Sequence, residues 1–368
     1  MTMCKNITFN TILKKIGLLL LVLLLIFIVY LLYLLFSYSR IEDNQDLSVL
    51  APEGATESFD VVSLNQNYSI GSFNVGFGAY SPDFSFFMDG GKESRCQSEL
   101  SSADMINGAA GVALEDDPDF MLFQEVDIDS TRSCHVDQER ILLNCFNNYY
   151  ETFAVNYDSA YLFYPFTKPI GKSLSGICTF SKYKITSGIR RSLFIANDLN
   201  KFLDLDRCYS VSRIPVENGR ELLLYNVHLS AYGNSSEIRD RQTSMLIDDM
   251  NAEYEAGNYI ICGGDFNHEL LADEDSTDDT EGWAYPFPRS KIPSHLAFAL
   301  DLLSENDRNN LTLSSRDTSA PYVKGTTTCY MLDGFIISDN VKMTGYTVKD
   351  TGYKYSDHEE VLLDFILE

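Results

Sequence analysis

From Ile16 to Phe36 the chain reads IGLLLLVLLLIFIVYLLYLLF, 21 residues without a charged side chain. As a helix rising about 1.5 Å per residue, this run covers roughly 30 Å, the apolar thickness of a bilayer. A helix in the core of a soluble domain would carry a polar stripe, and this one has none. A cleaved leader has a shorter apolar run, about 7–15 residues, closed by small residues. Here the run ends in FSYSRIED, with no such site. The segment therefore reads as an uncleaved signal anchor. Lys5, Lys14 and Lys15 precede it and no acidic residue does. Positive flanks stay inside, so residues 1–15 are expected in the cytoplasm and everything beyond Phe36 outside the cell, against the single opposing charge of Arg40.

All 53 acidic residues but only 25 of the 28 basic ones lie beyond the anchor, so the outer part carries a formal charge of −28. That disfavours indiscriminate binding to nucleic acid or anionic lipid, which needs a basic face. It leaves room for a local basic pocket. The acidic run ADEDSTDDTE (272–281) reads as a solvated loop. Eight cysteines show no C-x-x-C and no Cys/His ligand spacing, which argues against structural zinc. Cys178 and Cys262 sit in apolar runs and read as buried thiols. Cys96, Cys134, Cys145, Cys208 and Cys329 are the candidates for any disulfide, with connectivity open.

Residues 37–68 are polar and mixed and read as a juxtamembrane linker, and 69–368 as one domain. Within it, runs rich in β-branched and aromatic residues recur between turn formers: YSIGSFNVGF (68–77), DFMLFQEV (119–126), SGICTFSKYKI (175–185), ELLLYNVHL (221–229), NYIICGGDF (258–266), MLDGFIIS (331–338) and EVLLDFIL (360–367). Helical patterns lie between some of them, at 135–148 and at 235–257, where Ile238, Met245, Leu246 and Met250 share a face ahead of Gly257. Strands interleaved with helices imply α/β layers, with two sheets able to pack face to face inside helices.

Polar residues cluster at the ends of these strands. Asn74, Glu125, His228, Asp265 and Asn267 close runs, while Asp333 and the pair Asp357–His358 open them. Residues i and i+2 of a strand share a face, so Asp265 and Asn267 are expected to point into one site with Phe266 turned into the core. A lone acid at a strand end is usually a turn former or helix cap. One polar residue per strand end, repeated along the chain, is instead the pattern of a site assembled from many tips.

Taken in order, SFNVGFG, FQEVD, YNVHLS, GGDFNHE, LDGFIIS and SDHEEV resemble the endonuclease/exonuclease/phosphatase superfamily over essentially all of 69–368. RDRQTSMLIDDM resembles the R-x-x-Q helix of its sphingomyelinase-like and deadenylase-like branches. The resemblance implies a DNase I-like four-layer α/β sandwich, two packed, mainly antiparallel sheets flanked by helices, in a membrane-anchored bacterial member. It further implies a hydrolase of phosphate esters. Glu125 would bind a divalent metal, Mg²⁺ or alternatively Mn²⁺, with Asn74 and Asp357 beside it. Asp265 would orient and deprotonate the attacking water. Asn267 and His228 would contact the phosphate, and His358, oriented by Asp333, would face the charge developing on phosphorus. A phosphodiester anion repels a nucleophile, and a cation, imidazole and amide donors together offset that charge.

Other residues are weighed individually. Arg132, Lys168, Lys172 and Arg207 lie in loops near strand tips, and Arg132, Lys172 and Arg207 are taken as substrate-binding candidates. Tyr161, Tyr164 and Phe166 either stack on substrate or cover core. The segment 282–293, with the only tryptophan, Trp283, is a candidate lid or membrane-facing wedge. His268 reads as structural, His135 as a residue that either lines the cleft or lies outside it, and His295 as the start of a helix. PIGKS resembles the end of a P-loop, but the first glycine position holds Phe166. GKSLS lacks the last glycine of a nucleophile elbow. The substrate is expected to be a phosphodiester, in nucleic acid or alternatively in a lipid headgroup. A catalytically inactive surface binding domain is the reading from another class. The membrane is the one further partner, through residues 16–36, and no protein partner is inferred.

Overall fold

The computed structural model describes residues 9–37, 40–52, 59–195, 206–231, 236–272, 274 and 284–368. They fall into two units, one ending at Arg40 and one spanning Ile41–Glu368. The first holds helix α1, Phe9–Ser37, long and apolar enough to cross a membrane. It contains the whole uncharged run and also Lys14 and Lys15. Lys5 and Cys4 lie outside the described residues.

Alternation along the strands sets the layers of the second unit. The first sheet runs, in spatial order, β15 (Val341–Val348), β16 (Val361–Leu367), β3 (Asn67–Asn74), β4 (Phe120–Asp127), β6 (Leu174–Ser181), β5 (Tyr150–Asp158) and β2 (Val49–Leu50). The second runs β1 (Gln45–Leu47), β7 (Ser187–Ser192), β8 (Cys208–Pro215), β9 (Glu221–His228), β10 (Tyr259–Asp265), β14 (Asp333–Ser338) and β11 (Leu296–Phe298). A short pair, β12 (Ser315–Arg316) with β13 (Cys329–Tyr330), lies beside them. Among the named strands, β3–β4 and β9–β10 pair in parallel and the other pairings are antiparallel.

In β4, Phe120 and Leu122 enter the core shared with Leu224, Ile261 and Phe335 of the facing sheet. Met121 and Phe123 point the other way, to a second core with Ile106, Ala109 and Ala113 of α2 (Glu99–Glu115) and Leu142 of α3 (Gln138–Cys145). On the far side, α4 (Ser236–Glu255) contributes Leu246, Ile247 and Met250 to the central core. Helices, two sheets and a helix give the four layers implied by the resemblance. Caps fix the helix starts: Ser98 accepts from the backbone of Ser101 and Asp137 from that of Arg140. The expected helix at 135–148 is thus shortened to 138–145.

The stretch read as a linker is largely structural. From Ile41 onward it belongs to the second unit, with β1 pairing with β7 and β2 with β5. The fully buried Arg190 donates to the carbonyl oxygens of Glu42, Val155 and Asp206, tying this edge together. Edge strands of two or three residues carry no readable alternation, which is why composition alone suggests a tether.

One buried acid makes stability depend on pH. Glu360 is fully buried, and neither carboxylate oxygen has a hydrogen-bond partner. Burial pushes its pKa up to about 8 from 4.5, against a lowering by Lys349. A carboxylic acid with a raised folded pKa contributes stability that is complete below its unfolded pKa and is lost as pH rises through the folded one. Glu360→Gln is therefore expected to raise the melting temperature by several degrees at about pH 8 and by little at about pH 5. Parallel melts of the two proteins across that range check it; an equal shift at both ends contradicts it.

Candidate active site

The two glycines of IICGGDFN explain how β10 delivers its acid. A Cβ on Gly263 would meet Phe335 at 2.4 Å, and one on Gly264, whose φ is +143°, would meet the Val227 carbonyl oxygen at 2.1 Å. Only glycine allows the strand to reach Asp265 in register with His228 on β9 and Asp333 on β14. Three tips from one sheet therefore meet in a row.

Asn267 arrives by a route that differs from strand alternation. β10 ends at Asp265, and Asn267 has a φ of +50°, a left-handed conformation that asparagine tolerates. Its backbone N–H donates to Asp265 Oδ1 at 2.8 Å, closing a tight turn, while Phe266 is fully buried as expected. The Asn267 amide donates to the Leu229 carbonyl at 2.8 Å and lies 3.3 Å from Asp265 Oδ2.

Glu125 also needs an irregularity. The β4–β6 register slips between Phe123 and Val126, and Glu125 has a φ of +57°. This bulge turns the carboxylate into the cleft instead of either core. Asn226, opposite in the other sheet, donates to the carbonyls of Phe123 and Cys178, and its own oxygen accepts from Gln124 at 2.8 Å. The buried amides at the bulge thus support Glu125 from behind.

On these supports the tips converge. Asn74 Nδ2 donates to Asp265 Oδ2 at 3.0 Å and lies 3.4 Å from Glu125 Oε1, while its Oδ1 accepts from Gly76 N–H. The group it presents to the carboxylates is therefore a donor. His228 Nε2 lies 3.6 Å from Asp265 and 3.9 Å from Glu125. His358 Nδ1 pairs with Asp333 Oδ2 at 2.7 Å, and its Nε2 lies 3.8 Å from Asp265. Ser314 donates to the same Asp333 oxygen and accepts from two backbone N–H groups. Ser356 accepts from the His358 backbone and donates to the Asn74 carbonyl. Glu125, Arg207, His228, Asp265, Asn267, Asp357 and His358 all line one cleft of about 70 Å³.

Burial sets the protonation pattern. It pushes Asp265 up to about 7, with Asp333 adding to the rise and His358 opposing it. Burial alone would discharge His358, but Asp333 and then Asp265 outweigh it and hold its pKa well above the usual value. For His228, burial and then the Arg207 charge push the pKa well down. One imidazole is thus charged and the other neutral across the same cleft. Burial raises Glu125 as well, with Arg132 lowering it and Asp357 raising it.

The donor set fits a hard divalent cation. Glu125 and Asp357 both bring carboxylates to the cleft, where the Asp357 charge disfavours ionisation of Glu125, and oxygen-only sites of this kind suit such ions. Asp265, Asp333 and His358 also lie together, with candidate ligand atoms within 4.8 Å. There the imidazole is already engaged by Asp333, so these three read first as a hydrogen-bonded line.

The remaining expectations divide. Arg207 lines the cleft. Arg132 is buried, donates to both oxygens of Asp127, lies 3.8 Å from Glu125 and stacks over Phe77, so it is locked inward. Lys172 is exposed and outside the cleft lining, as is Lys168. His135 is exposed and pairs with Asp129 at 2.5 Å, away from the lining. His268 is buried against the Phe266 carbonyl and Phe287, and burial pushes its pKa down to about 4. His295 starts no helix; it precedes β11 and stacks on Tyr254. Tyr164 and Phe166 are exposed, and the Tyr164 ring lies 5.6 Å from that of Phe87. Gln242 of the R-x-x-Q pattern bonds Ser230 and the Phe194 carbonyl, fixing the chain just beyond His228. Trp283 and most of the acidic run lie outside the described residues. Sequence reasoning missed Ser314, Ser315 and Arg316; the only local signal was a small polar run, SSRDTS, outside any strand pattern.

A family model described as Endonuclease/Exonuclease/phosphatase family matches residues 71–358. The chain belongs to the endonuclease/exonuclease/phosphatase family. Solved structures agree on the fold. An endonuclease/exonuclease/phosphatase from Beutenbergia cavernae aligns with TM-score 0.55 and 17% identity over 82% of this chain and 72% of that one. The human Nocturnin catalytic domain with bound sulfate anion aligns with TM-score 0.53 and 16% identity over 88% and 97%. TDP2 from C. elegans aligns with TM-score 0.50 and 15% identity over 82% and 75%. A search of curated proteins finds no match. At such identities these neighbours speak to fold, and the chemistry of this endonuclease/exonuclease/phosphatase family member rests on its own residues.

Proposed function

We propose that this chain is a membrane-anchored, divalent-metal-dependent hydrolase that cleaves phosphodiester bonds in the manner of a nuclease. The observation that carries the reading is the meeting of Glu125, His228, Asp265, Asn267, Asp357 and His358 in one cleft, delivered by the β4 bulge, the β9 tip, the β10 tip with its turn, and the segment before β16. In this reading Asp265 holds the attacking water in line with phosphorus and takes its proton, a task suited to a carboxylate whose pKa stands near 7. His358, kept charged by Asp333, and Asn267 donate to the phosphate oxygens as charge builds there. His228 meets the same phosphate as a neutral imidazole. Glu125 and Asp357 would hold Mg²⁺ or Mn²⁺, which when bound supplies neutralising charge at the phosphate. Arg132 pins the Glu125 side of the cleft, and Arg207 adds positive charge at its mouth.

Helix α1 would span the cell membrane once, with residues 1–15 cytoplasmic and the catalytic domain outside. That anchor supports a second substrate class, the phosphodiester of a lipid headgroup, because it holds the enzyme beside a bilayer. Nucleic acid stays first and lipid second. The test is hydrolysis by the detergent-solubilised full chain, with and without chelator, on plasmid DNA, RNA and sphingomyelin vesicles. Cation-dependent cutting of DNA or RNA is expected. Headgroup release without cutting would select the lipid reading, and inertness on all three would favour a binding domain.

A further inference from the structure

Two thiols that the hydrolytic cleft does not use lie against each other beside it. Cys96 Sγ and Cys134 Sγ are 2.8 Å apart, although 38 residues separate them in sequence. The backbone adds a tie nearby: Cys96 N–H donates to the carbonyl of Arg132, two residues before Cys134, at 2.8 Å. The surrounding chain holds each in place. Ser94 and Arg95 bond the Lys168 and Pro169 carbonyls, and Cys134 lies in a turn closed by Thr131 and Ser130. Both Cys134 and His135 have positive φ, 58° and 62°. That conformation is uncommon for such residues and directs the Cys134 side chain at Cys96. Cys96 stands two residues before Ser98, the cap of α2.

We propose that Cys96 and Cys134 are a redox pair that closes to a disulfide and so pins the turn carrying Arg132 to the start of α2. The two sulfurs have different access. Cys96 is buried and Cys134 half-buried. Burial and the adjacent Cys134 hold the Cys96 thiol well above the usual thiol range. Cys134 is therefore the sulfur that a small-molecule disulfide meets first. Its thiolate attacks one sulfur of that disulfide, the external S–S bond breaks, and one thiolate leaves. Cys96 then gives its proton to a departing thiolate and attacks Cys134 Sγ, breaking the mixed disulfide and releasing the second thiol. The cysteine pair is oxidised and the external disulfide is reduced to two thiols. The consequence reaches the cleft through Arg132, whose guanidinium bonds Asp127 and stands 3.8 Å from Glu125.

The pair goes beyond the hydrolytic reading, and its test does not use turnover. The full chain in detergent is incubated with glutathione disulfide, denatured, alkylated and mapped by mass spectrometry. The Cys96 and Cys134 peptides are expected to be linked. Dithiothreitol is expected to lower the melting temperature by roughly 5–10 °C, because the bridge closes a long loop. Cys134→Ser, at the half-buried position, is expected to melt near the reduced wild type and to show no dithiothreitol-dependent shift. Alkylation of both cysteines after oxidation, glutathione retained on Cys134, or a link from either to another cysteine would overturn the proposal. So would a Cys134→Ser protein that keeps the full reductant-dependent shift.

Discussion

Asp265→Asn is expected to lower kcat on a phosphodiester by about 10³-fold or more while the protein melts within a few degrees of wild type. The substitution keeps the shape of the β10 tip and an oxygen that still accepts from Asn267 N–H. In the proposed reading it removes the group that takes a proton from water. Stability should not fall. A carboxylate with a raised folded pKa contributes stability that is complete below its unfolded pKa and lost as pH rises through about 7, so near neutrality its amide isostere carries no penalty. Steady-state kinetics together with a thermal melt check both halves. A variant with near-normal kcat would remove Asp265 from the chemistry.

The second large effect falls on the Asp333–His358 pair. His358→Ala is expected to lower kcat by about 10³-fold, since it deletes the only imidazole that the cleft keeps charged. Asp333→Asn leaves that imidazole in place but takes away the partner at 2.7 Å that holds its charge. A smaller loss in kcat is expected there, together with a fall in the His358 pKa, which histidine NMR resonances report. A purely structural role for Asp333 would lower the melting temperature without moving that pKa. Ser314, which bonds Asp333 and two backbone N–H groups, keeps the acid oriented in the wild type.

Much of this was legible in the sequence because the site is written at strand ends. The runs that end in Asn74, His228 and Asp265 form β3, β9 and β10, and each polar residue stands at the tip. Glu125 and Asn267 were legible as residues but not as geometry. Both depend on left-handed backbone, one in a bulge and one in a tight turn, and while asparagine tolerates that conformation, glutamate gives no such signal. α2 escaped notice because much of its buried face is Ala and Ser, which give weak periodicity. The hold of Asp127 on Arg132 was not legible, since it depends on how the turn after β4 folds back. Gln124 and Asn226 show the same limit. Their pairing joins two sheets across 102 residues, a relation that local pattern does not contain.

The central claim is that the strand tips form a cation-dependent hydrolytic site with Asp265 as its base. The measurement that tests it most directly is the rate of bis-p-nitrophenyl phosphate hydrolysis by the full chain, stripped with chelator and then resupplied with Mg²⁺, beside Asp265→Asn. The account predicts that the stripped enzyme is inactive, that Mg²⁺ restores the wild type, and that the variant stays inactive in both conditions. Equal rates with and without the cation, or equal rates in the two proteins, would contradict it.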